Sequence, residues 1–155
     1  MRPDVIVVGE VRGAEAFELT RAVNAGCGFA CTVHANSARE ALSAIVNAAI
    51  MAGENVSEPI VRKVFSSAID LVVHCDMEDS RRSGEAGIRR AVTEIIALVP
   101  SLHDDFSTEP IFVRESLDAP LTWTGTLPPS TSTIERRLPP GMALRDVLDG
   151  RVQLR

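Results

Sequence analysis

Lysine is nearly absent from this 155-residue chain: Lys63 is the only one, and arginine supplies the remaining cations. We read that bias as base composition, with no function attached. Acid outweighs base, for a net charge of −5 at pH 7. Autonomous nucleic-acid binding is therefore disfavoured, since it generally needs a basic face to displace counterions from phosphates. Long apolar runs are missing too. VIVV and LVV fall far short of the roughly 18 residues a membrane span requires, and MRPD lacks the apolar region of a signal peptide. Three cysteines without a secretory signal suggest reduced thiols rather than a disulfide framework. These features predict a cytoplasmic chain without membrane insertion.

What is present is an apolar content of 45%, enough for a real core. Residues 5 to 8, VIVV, read as a parallel-type strand, because a continuous β-branched run implies burial on both faces. Gly13 and Ala14 then open a helix carrying Ala16, Phe17, Leu19 and Val23, which stops at Gly26. GFACTVHANS, residues 28 to 37, reads as a second strand with Phe29, Cys31 and Val33 on one face and Ala30, Thr32 and His34 on the other. Ser37 and Glu40 form a capping box for a long helix closed by Gly53. A further helix starts near Ser57, with Pro59 in its first turn, and leads into the strand IDLVVHC.

The polar stretch DMEDSRRSGEAG reads as a loop or hairpin tip, and IRRAVTEIIALV as a returning strand, with a helical alternative open for residues 88 to 99. Seven of the nine prolines lie at or after Pro100, marking a change of character. IFVRES and LTWTGTL suggest a small hairpin, PPSTST a linker, and GMALRDVLDG a short helix. The predicted organisation is an α/β core over 1–100, a hairpin extension over 101–127, and a linker with a terminal helix over 128–155. The strand–helix–strand order of the first half implies a right-handed crossover.

In open parallel sheets, ligands sit beyond the carboxyl ends of the strands. Glu10 lies just past the first strand and His34 at or past the end of the second. If the strands are neighbours, their ends lie about 4.8 Å apart laterally, so a carboxylate and an imidazole share one rim. Such a pair suits water deprotonation, or the hydration shell of Mg²⁺ with the imidazole on a phosphate oxygen. Arg12 is placed to offset developing negative charge. A solvated acid after a buried strand explains Glu10 alone equally well.

RPDVIVVGEVRGAEAFELTRAVNAGCGFACTVHANSAREAL, residues 2 to 42, resembles the type II/type IV secretion-system ATPases, in particular the branch that drives tight-adherence (Flp-type) pilus assembly. In that family the RPDxIxVGEVRGxEA region is Walker B and TVHANS the histidine box. DLVVHC and RRAVTEI carry the resemblance to about residue 99. It implies that Glu10 polarises the attacking water and helps organise Mg²⁺ through water, and that His34 senses the γ-phosphate. It also puts Arg12, Thr32 and Asn36 at the nucleotide, the last two as residues that orient His34. Implied besides are ATP and Mg²⁺ as cofactors, a homo-hexamer with full-length subunits, inner-membrane secretion or pilus platform proteins as partners, and a peripheral location at the cytoplasmic membrane.

A P-loop ATPase also needs G-x-x-x-x-G-K-[ST], and this sequence has no such string; Lys63 sits in VRKVF without a glycine nearby. The expectation is thus a partial RecA-like P-loop NTPase core that begins at Walker B, lacks the Walker A strand, and carries a small β-rich C-terminal appendage. In the family sheet that strand lies between the histidine-box strand and the one matching LVVHC, so its absence predicts unpaired edges on both. Such a chain is expected to be inactive alone. The alternative is a non-catalytic remnant or split-gene module that assembles with a P-loop-bearing partner.

Other readings compete at single residues. Cys27, Cys31 and His34 form C-x3-C-x2-H, with His74 and Cys75 later, a weak zinc pattern because strand alternation separates Cys31 from His34. Small buried hydrophobes are the preferred reading of the cysteines. Arg81, Arg82, Arg89 and Arg90 read as solvated charges beside a hairpin, with contacts to a neighbour's nucleotide as the alternative. His74 reads as structural, His103 as surface, and Phe17, Phe65 and Trp123 as packing.

Overall fold

The computed structural model describes residues 3–52, 57–79, 87–101 and 105–152. It is a mixed α/β chain with one parallel and one antiparallel sheet. Two compact units divide it, the first Met1–Ile69 with Pro100–Ser107, the second Asp70–Val99 with Thr108–Arg155.

In the first unit, β1 (Val5–Val8), α1 (Glu15–Asn24), β2 (Gly28–Cys31), α2 (Ala38–Ala52) and α3 (Glu58–Ala68) follow in order. The two strands pair in parallel, from Val5 opposite Gly28 to Val8 opposite Cys31, as the strand–helix–strand pattern predicts. Helix α1 ends where Gly26 adopts φ 76°, a left-handed conformation that favours glycine. There the Gly26 amide donates to Val23 O and the Cys27 amide to Ala22 O, at 2.8 and 3.0 Å, which satisfies two carbonyls the helix leaves open. The core gathers Ala16 and Leu19 of α1, Leu42, Ile45, Val46 and Ala49 of α2, and Val61 and Phe65 of α3. Phe29 of β2 meets Phe65 edge-on, centroids 6.2 Å apart.

Two expectations need correction here. The valine-rich run predicts burial on both faces, yet Val5 and Val7 are 57% and 77% exposed, and only the alternate residues of β1 are partly covered. The second strand ends at Cys31 rather than running to 37. Past that point the chain no longer pairs along β1 but turns to cap α2: Ser37 Oγ accepts from the Glu40 amide at 3.1 Å. The return half of the capping box reaches one residue further than predicted, because Glu40 Oε2 accepts from the amide of Asn36 at 3.3 Å. Gly53, the predicted stop of α2, lies outside the described residues.

The second unit is a four-stranded sheet in the order β3 (Leu71–Asp79), β4 (Ile88–Val99), β5 (Ser107–Val113), β6 (Thr122–Trp123), followed by α4 (Thr131–Glu135) and α5 (Leu144–Leu148). Residues 88–99 are thus strand, and the helical alternative falls. DMED, read as loop, belongs to β3. The ladder between β3 and β4 is antiparallel and bulges after His74, where Thr93 is the extra residue. His74 Nδ1 lies 2.9 Å from Thr93 Oγ1, and Arg114 donates from its amide to Thr93 O and from Nε to Val92 O. His74 is therefore held in the sheet. The predicted hairpin of IFVRES and LTWTGTL forms as β5 and β6, with Phe112 opposite Trp123, and joins this sheet beside β4. Trp123 packs under the Arg145 guanidinium, 5.4 Å from the ring centre, and its indole N–H donates to Thr126 O. PPSTST, read as a linker, is half helix: Thr131, Ser132 and Thr133 form the start of α4, after a turn at Pro129 and Ser130.

Candidate functional site

Glu10 stands two residues beyond the carboxyl end of β1, and His34 three beyond that of β2. The structure brings them together: Glu10 Oε1 lies 2.7 Å from His34 Nε2 and 2.6 Å from Arg12 Nε. Oε1 is shut off from solvent, while the His34 and Arg12 side chains are 86% and 73% exposed. The Arg12 contact is an ion pair, and the His34 imidazole meets the same carboxylate oxygen. The Arg12 guanidinium holds the Glu10 carboxyl below the usual carboxylate range, the nearby imidazole adds to this, and desolvation opposes it. In turn Glu10 raises the Arg12 value.

Local backbone chemistry sets this geometry. Val11, directly after the acid, is 2% exposed and anchors the loop to the core. Its amide donates to Thr32 O at 2.8 Å, and the Thr32 hydroxyl donates to Gly9 O at 2.6 Å. On the far side of Arg12, Glu15 Oε1 accepts the amides of Arg12 and Gly13, which closes the first turn of α1. Those donors keep the Glu15 carboxyl low as well. Asn36, the remaining predicted site residue, turns to α2, its Nδ2 donating to Glu40 Oε2 at 2.9 Å. Glu10, Arg12 and His34 thus form one cluster, Thr32 adjoins it through the backbone of the acid's segment, and Asn36 is tied to Glu40.

Sequence reasoning passes over Glu15. It is the acid in the GxEA end of the motif that residues 2–16 match, and an acid in the first helical turn suits a helix N-terminus.

The cysteines do not converge. Cys27 is buried and its thiol contacts the carbonyls of Pro3 and Gly28, at 3.3 and 3.4 Å. Burial pushes the Cys31 thiol up, and Cys75 lies exposed in the other unit. Among the described residues no group of three or more His, Cys, Asp or Glu is placed to hold a metal ion. Magnesium asks less of a protein, since water and phosphate oxygens fill most of its octahedron. Arg89 pairs with Asp118 beside the β3–β4 hairpin. Arg81, Arg82 and His103 lie outside the described residues.

No described helix is long and apolar enough to cross a membrane. A family model described as type II/IV secretion system protein matches residues 1–103. A putative conjugal transfer protein of Mycobacterium tuberculosis, found in two strains, is 34% identical over 108 residues, covering 68% of this chain. Conjugal transfer protein TrbB of Rhizobium radiobacter is 34% identical over 110 residues, covering 70%. In each case the match takes in 30% of the relative's own length.

Proposed function

The chain belongs to the type II/IV secretion system protein family, and we propose that it is part of an ATP-driven motor for protein secretion, conjugation or pilus assembly. One observation carries the reading: a carboxylate and an imidazole, each just past the carboxyl end of one of two paired parallel strands, meet at 2.7 Å. That is where α/β sheets bind ligands and where an attacking water needs an acceptor. On this reading GEVRG is the Walker B region and TVHANS the histidine box. The tight-adherence branch is the subtype its sequence resembles.

Glu10 accepts a hydrogen bond from the attacking water and takes up its proton as the bond to the γ-phosphorus forms and the bond from that phosphorus to the β–γ bridging oxygen breaks, with ADP as the leaving group. His34, on the same rim, donates to a γ-phosphate oxygen and so couples the acid to the presence of nucleotide. Arg12, its side chain largely in solvent beside the acid, offsets the negative charge that develops at the phosphate. Magnesium, when bound with ATP, supplies charge neutralisation at the phosphates, and Glu10 meets it through water.

The phosphate cradle is the part this sequence does not hold. We assign it to a P-loop-bearing polypeptide or segment outside residues 1–155, assembled with this chain in a hexameric ring at the cytoplasmic face of a membrane platform. A non-catalytic interaction module is the second reading, favoured by that same missing string. Purified chain is expected to show no ATP affinity by equilibrium dialysis, and to co-purify with a P-loop-bearing family core when the two are co-expressed. Tight ATP binding by the chain alone would sink the assignment.

A further inference from the structure

The β1–β2 ladder ends at Val8 opposite Cys31, yet the two segments stay joined as far as Val11 through Thr32. Its carbonyl takes the Val11 amide and its hydroxyl donates to Gly9 O, at 2.8 and 2.6 Å. Both residues flanking Glu10 are therefore bound to one residue of the opposite segment. That residue stands two positions before His34, in a stretch whose exposure still alternates residue by residue. We propose that Thr32 is a positioning residue, which braces the backbone on either side of Glu10 and so sets the contact between Glu10 and His34.

The chemistry of the hydroxyl supports this over direct contact with a nucleotide. Threonine has one O–H proton, here donated to Gly9 O, and its remaining lone pairs repel an anionic phosphate oxygen. With Gly9 and Val11 each bonded to Thr32 and the Val11 side chain buried, the backbone of Glu10 is held from both sides. The brace thus holds the acid where the imidazole reaches it. Its importance for hydrolysis rests on the reading of Glu10 and His34 given above, but its existence does not.

The test uses the full chain without nucleotide, reading the ¹⁵N signals of the His34 imidazole at fixed pH. Glu10→Gln defines the signal of an imidazole that has lost its carboxylate. Thr32→Val, which keeps shape but removes the donor, is expected to shift the Nε2 signal to that position. Thr32→Ser is expected to keep the wild-type signal. The amide spectrum of α2 and α3 stays unchanged in both. A wild-type His34 signal in Thr32→Val overturns the proposal. Should Thr32→Val fail to fold, hydrogen exchange in the wild-type chain decides: a protected Val11 amide supports the brace, and one exchanging as fast as open-loop amides overturns it. Because no step requires ATP, a motor reading that fails leaves this result standing, and the reverse.

Discussion

At the scale of single residues, the site is a carboxylate between a guanidinium and an imidazole, and its charge is linked to pH. The folded-state pKa of Glu10 is lowered, chiefly by Arg12, so its ion pair with Arg12 contributes stability in full above the unfolded value of about 4.3. As pH falls the unfolded chain takes up its proton first, and the contribution is gone once pH passes through the lower folded value. Carbon-detected titration of the Glu10 carboxyl is expected to give a midpoint below the ordinary value, moving back up toward it in Arg12→Ala. An unmoved midpoint would show that Arg12 does not set the charge. Glu10, Arg12 and His34 were legible in the sequence because an acid and an imidazole beyond two adjacent parallel strands fall on one rim by topology alone. Thr32 was expected beside His34 and Glu15 lies in the matched motif, but the bonds of Thr32 to Gly9 and Val11 and of Glu15 to the amides of Arg12 and Gly13 were not legible. Both act on backbone amides and carbonyls, which a sequence does not display.

At the scale of elements, local signals and packing signals behaved differently. The glycine that stops α1 and the Ser37–Glu40 pair that starts α2 were readable because a left-handed turn and an orphan amide are met by particular residue types nearby. The end of β2 was not readable. Exposed Thr32, His34 and Asn36 alternate with half-buried Val33, Ala35 and Ser37, so the period of two persists after pairing stops. Only the presence of a partner strand distinguishes that segment from a strand. Ser37→Ala removes the acceptor for the Glu40 amide and is expected to cost about 1 kcal/mol in urea denaturation. A cost near zero would mean that the link from Glu40 to Asn36 suffices to start α2.

At the scale of the whole molecule, what the chain exposes is as informative as what it buries. Among the described residues β2 is paired on one side only and β3 is an edge of its sheet, while Val5 and Val7 stand uncovered on a parallel sheet of a kind normally covered on both faces. The sequence could not show this. A valine-rich run specifies what a strand tolerates on each face and leaves open what covers it. The chain spans 30% of the length of the relatives it matches, and its sequence holds an acid and an imidazole but no phosphate loop.

The central claim is that Glu10 is the acid of a hydrolysis site whose phosphate cradle lies on other residues. Single-turnover ATP hydrolysis tests it most directly, on the chain alone, on the chain assembled with a P-loop-bearing family core, and on the same assembly carrying Glu10→Gln. We expect no hydrolysis from the chain alone, turnover from the assembly, and a loss on the order of 10²- to 10⁴-fold with Glu10→Gln. Hydrolysis by the chain alone, or an assembly as fast with Glu10→Gln as without it, would contradict the account.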